Sequence, residues 1–158
     1  MRGAVACALL LPMAACSSGP PTIDVPELSA ADATACHALV AAVPDTLAGH
    51  DRVAVTGDTE LGAAWGDPAI VLTCGVGRPE DFTDSSTCVT MDRTGWYVPD
   101  EVLLSDDESR DVTTTEMNYR PRVRLVVPGD YRPEGFSDSI ATIGKLIEKT
   151  LDRTGRCL

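Results

Sequence analysis

The chain has 158 residues, with 13 basic against 24 acidic side chains. A net charge of −11 excludes a protein that neutralises nucleic-acid phosphate, because that work needs a basic footprint. The same sign opposes electrostatic docking on anionic lipid headgroups. The length allows one ordinary domain with a core of its own.

The N-terminus has the layout of a secretory signal peptide. Arg2 is the positive start, Ala4 to Leu11 form a short apolar run, and Ala14 and Ala15 precede Cys16. The run contains Pro12 and falls short of the ~20 apolar residues that a spanning helix needs. The piece "MAAC" resembles the lipobox of bacterial lipoproteins. That resemblance implies a signal peptide over residues 1–15 and a diacylglyceryl group, with palmitate-type chains, on Cys16. It also implies attachment to the bilayer at the extracytoplasmic face of the cell membrane. "SSGPPTIDVPEL" follows, with three prolines and no hydrophobic period. Residues 16–28 are therefore expected to be a flexible tether that lets the domain stand off the membrane. Residues 29–158 are expected to form a single α+β domain.

Ser29 opens "SAADATACHALVAAVP", where Asp32 can complete a cap and Pro44 stops the helix. Cys36, Leu39, Val40 and Val43 recur at helical spacing and form its buried stripe. Strand pieces are predicted at Arg52–Thr56 and Ala69–Cys74, with "WGDP" (Trp65–Pro68) as a turn. Cys88–Thr90 and Trp96–Val98 read as a hairpin about Asp92–Gly95, and Thr113–Met117 with Arg122–Val127 as another strand pair. "PGDYRP" is a loop. From Ser137 the period changes: Ile140, Ile143, Ile147 and Leu151 mark an amphipathic helix. The predicted fold is α+β: an antiparallel sheet with an N-terminal and a C-terminal helix packed on one face.

Of six cysteines, Cys7 lies in the signal and Cys16 is the attachment point. The even set Cys36, Cys74, Cys88 and Cys157 in an exported chain implies two disulfides. Zinc is disfavoured, because no C-x-x-C pair occurs, and no metal site or cofactor is expected. Three connectivities are open. Two helices on one sheet face favour Cys36–Cys157, and the Gly-, Pro- and Asp-rich excursion after Cys74 favours Cys74–Cys88.

Four phrases together resemble a known family: "CHALVAAVPDTLAGHDR" (Cys36–Arg52), "AAWGDPAIVLTCGVGRP" (Ala63–Pro79), "GWYVP" (Gly95–Pro99) and "VRLVVPGDYRP" (Val123–Pro133). They are similar to an actinobacterial family of small secreted or lipid-anchored proteins known only as a domain of unknown function. The resemblance implies an envelope protein and brings no reaction, cofactor or catalytic residue with it.

Few residues carry recognisable chemistry. His37 and His50 form no metal-ligand pair, and no nucleophile elbow is present. "CGVG" (Cys74–Gly77) does not complete a dinucleotide loop, because Pro79 interrupts the helix that motif requires. The acidic run from Asp100 to Asp111 lacks the glycine and closing Glu of an EF-hand and reads as a solvated loop. Arg120, Arg122 and Arg124 alternate along a strand, so all three point one way while Val123, Leu125 and Val127 point the other. Cross-strand pairing with carboxylates such as Glu116 is the ordinary account of them. The sharper account is a site for a carboxylate or phosphate group, with Trp96 and Tyr97 nearby. The expected function is that of a lipid-anchored binding module, with an envelope protein or cell-wall component as partner and no nucleic acid. The alternative is a cell-wall-directed hydrolase or transferase using paired carboxylates.

Overall fold

The structure, a computed structural model, describes residues 19–157. The expected signal segment, Cys7 and the expected attachment residue Cys16 lie outside the described residues. In chain order the strands are β1 (Thr22–Ile23), β2 (Thr46–Leu47), β3 (His50–Val53), β4 (Thr56–Gly57), β5 (Gly62–Trp65) and β6 (Ile70–Val76). They continue with β7 (Cys88–Met91), β8 (Thr94–Tyr97), β9 (Val112–Glu116), β10 (Tyr119–Arg120), β11 (Arg122–Val127) and β12 (Asp152–Arg153). The helices are α1 (Ala30–Ala42), the single turn α2 (Asp100–Leu103) and α3 (Glu134–Thr150).

Eight strands form one antiparallel sheet in the order β2-β3-β5-β6-β11-β9-β8-β7. Alternation in its centre separates the two faces. Leu72, Val123, Leu125 and Val127 are fully buried, and they share one core with Cys36, Leu39 and Val40 of α1 and Ile140, Ile143 and Ile147 of α3. Each such aliphatic side chain gains about 1.5–3 kcal/mol on burial. Ser29 caps α1: its Oγ accepts from the Asp32 N–H at 3.1 Å and donates to the Asp32 carboxylate at 2.8 Å. That local pairing fixes where the helix starts, and so which side of it carries Cys36.

The opposite face is crossed by both ends of the described chain. Near the N-terminus, β1 pairs in parallel with β4, and Ile23 is buried against Gly62 of β5. Val25 and Leu28 then close on Gly75, whose φ of +93° and lack of Cβ admit Leu28 at 2.7 Å from where a Cβ would stand. From Pro21 onward the expected tether is thus docked on the domain. Its prolines removed the helical signal, but Ile23 is apolar enough to be buried and Val25 and Leu28 to be half-buried. Near the C-terminus, β12 pairs with β10, and Cys157 lies against Gly95 of β8. By strand order, β11 and β9 remain between these two coverings.

The disulfides are Cys36–Cys74 and Cys88–Cys157, with Cα–Cα distances of 5.5 and 5.8 Å. This corrects the expected pairing Cys74–Cys88 and Cys36–Cys157. Cys74 sits opposite Val123 and faces the helices, whereas Cys88 sits opposite Tyr97 and faces the other side. A Cys74–Cys88 bond would have to pass through the sheet. The excursion after β6 is held instead by side chains: Tyr97 Oη donates to Asp81 at 2.9 Å, and the Phe82 ring meets Tyr97 edge-on at 5.0 Å.

Candidate functional site

The middle of the outer face carries the half-buried Arg122 and Arg124 from β11. By register Arg124 lies between Thr73 of β6 and Thr115 of β9, and Thr115 in turn lies beside Tyr97 of β8. Arg124 lines a hollow with Arg78, Glu80, Asp81, Thr113 and Thr115. Arg120 sits on the separate short strand β10, and its guanidinium donates to the Tyr119 carbonyl at 3.0 Å. Arg78 enters from the excursion after β6, stacks over Phe82 at 4.7 Å and meets Asp84 at 3.4 Å.

These guanidiniums are poorly compensated. Among the described residues no carboxylate lies within 4.0 Å of Arg120, Arg122 or Arg124. The Nε atoms of Arg122 and Arg124 are buried and have no hydrogen-bond partner there. Burial first, and then the like charges of Arg120 and Arg78, push the Arg122 guanidinium below its ordinary pKa. Arg120 is lowered by burial and by Arg78, against the opposing pull of Glu116.

Glu116 is not the cross-strand partner expected for these arginines. It pairs in register with Trp96 and is turned to the other side of the sheet, 0 % exposed. Its Oε1 accepts the N–H groups of Gly95 and Asn118 at 3.1 and 3.0 Å, and its Oε2 accepts that of Tyr119 at 2.8 Å. Burial raises its carboxyl above the ordinary value, although those three N–H groups favour the charged form. Glu116 therefore organises the chain between β9 and β10. Trp96 is also absent from the arginine face: it is fully buried, and its Nε1 donates to Thr94 Oγ1 at 2.9 Å. Tyr97 does lie on that face, with its hydroxyl pKa pushed up to about 12 by burial and by Asp81.

The remaining candidates stay apart from this site. His37 approaches the exposed Glu60 at 3.6 Å, and His50 stacks on Tyr131 at 3.8 Å. Asp107 bonds within its own loop to Ser109. Among the described residues no three His, Cys, Asp or Glu side chains are grouped to hold a metal. Glu116 is the one acidic side chain buried there, and both its oxygens are occupied.

Arg78 was missed by sequence reasoning. Its signal was local: it follows β6 directly, in a segment whose Pro79 and Asp81 turn the chain back over Tyr97. A family model described as a protein of unknown function (DUF3515) matches residues 2–155, and the chain belongs to that family. No curated protein and no solved structure matches it.

Proposed function

For this member of the DUF3515 family, we propose an extracytoplasmic, membrane-anchored lipoprotein that acts as a binding module for an anionic envelope component. Cys16 carries the lipid, and the arginine face takes a carboxylate or phosphate group of an envelope protein or cell-wall component. One observation carries this: among the described residues no carboxylate lies within 4.0 Å of Arg122 or Arg124, so their guanidiniums have no counter-ion on an otherwise acidic protein. Guanidiniums pair with flat, bidentate oxyanions, so such groups are suited to a ligand rather than to the fold. The two disulfides accord with an oxidising compartment. Paired-carboxylate hydrolysis needs two carboxyl groups about 5–9 Å apart flanking the bond, and among the described residues Glu116 is the one buried carboxylate.

Calorimetric titration with inorganic phosphate and with citrate tests the reading. Binding should weaken as salt is raised, and Arg122→Ala should weaken it at least about tenfold, the loss of ~1.4 kcal/mol. Equal affinity in wild type and Arg122→Ala would remove the arginine site.

A further inference from the structure

Strand β11 presents two chemistries on its open face. Arg122 and Arg124 occupy the first part and Val126 the second, with successive members about 6.5 Å apart along the strand. Val126 lines a groove of about 490 Å³ together with Val53, Ala69, Val71 and Pro128. That volume lies within the roughly 300–1,000 Å³ of sites that bury small ligands. The acidic members of the groove are Asp67 and Asp111, and no arginine lines it. Arg124 belongs to the next hollow along the same strand, with Arg78 and the acidic Glu80 and Asp81, of which Asp81 accepts from Tyr97 Oη. A negative head thus finds guanidinium partners only in the second compartment, while an aliphatic chain fits the first.

We propose that this face binds a lipid of the bilayer that has a phosphate head and an aliphatic chain, with the head on Arg122 and Arg124 and the chain along Val126. The proposal rests on the anion-binding reading above and deepens it. Gly19, Pro20 and Pro21 also line the groove. Cys16 is three residues before Gly19, a reach of at most about 11 Å. A lipid on Cys16 would therefore hold the groove close to the bilayer surface. The protein's own diacylglyceryl thioether is uncharged and would leave the arginines without a partner, so a separate anionic lipid fits better. The acidity of the whole chain opposes general adsorption to anionic membranes and favours one molecule taken into a defined site.

The test is titration of the purified protein and of its Cys16→Ser variant with monododecyl phosphate below its micellar concentration. Inorganic phosphate and dodecanol serve as the two halves of that probe. Monododecyl phosphate should bind at least about tenfold tighter than either half, a gap of ~1.4 kcal/mol. Arg124→Gln should reduce it to the level of dodecanol, and Val126→Asp to the level of inorganic phosphate. Val126→Ser replaces the latter variant if Asp impairs folding. If inorganic phosphate binds as tightly as its dodecyl ester, the anion site stands and the lipid proposal falls. If dodecanol binds as tightly, the groove is a plain apolar site and the proposal also falls. Binding confined to Cys16→Ser would show that the protein's own acyl chain fills the groove, and would overturn it. Failure of both phosphates to bind would remove the anion reading as well.

Discussion

Glu116 and Arg122 lie close in the sequence and have opposite energetic roles. Glu116 satisfies three backbone N–H groups inside the core, so Glu116→Gln should destabilise by about 1–3 kcal/mol in urea unfolding. Its folded pKa is raised above 4.5, so the folded chain binds the proton more tightly than the unfolded one. That contribution is complete below the unfolded value and is lost as pH rises through the folded value. The stability gap between wild type and Glu116→Gln should therefore narrow as pH is raised from about 4 to about 7. A widening gap would show that the three N–H groups outweigh burial. Arg122 is the reverse case. An unsatisfied buried donor costs about 1–3 kcal/mol, and Arg120 and Arg78 add repulsion. Arg122→Met should leave the urea midpoint unchanged or raise it while it weakens anion binding. A loss of more than about 1 kcal/mol would make Arg122 a structural residue instead.

Among the elements, those with strong periodicity were legible in the sequence. The stripes of α1 and α3 emerged from helical spacing, and β11 from strict alternation. β5 was not foreseen, because "GAAW" has little β-propensity; it is a strand because Leu72 and Thr73 of β6 supply its partners. Disulfide pairing was invisible for a related reason. Which face a cysteine occupies depends on register, and which cysteine it meets depends on strand order, and neither is a local property. The arginine face could be seen as an alternation, but its lack of carboxylate partners could not. Non-reducing peptide mapping should recover Cys36–Cys74 and Cys88–Cys157, and a peptide joining Cys74 to Cys88 would contradict the fold. Loops of 38 and 69 residues each stabilise by about 4 kcal/mol in the chain-entropy model. Cys88→Ser should cost that order in stability and raise amide exchange in β12, which pairs with β10 just before the bonded Cys157.

At the scale of the whole molecule, the two ends of the described chain cover the flanks of the outer face, and the excursion after β6 lies beside Thr115 and Arg124 in its middle. Residues from Pro21 onward are docked on the domain, so a lipid anchor at Cys16, as proposed, would hold the domain against the membrane rather than away from it. Wild-type protein should partition with the membrane fraction and Cys16→Ser should not; retention of the variant would contradict a lipid anchor. The central claim is that the open face binds an oxyanion through Arg122 and Arg124. The most direct measurement is NMR of the arginine Nε–H resonances during titration with inorganic phosphate. The account predicts that the Arg122 and Arg124 signals shift together and saturate, while those of the exposed Arg93, Arg153 and Arg156 stay in place. Shifts spread evenly over all the arginines, or no saturating shift at Arg122 and Arg124, would contradict it.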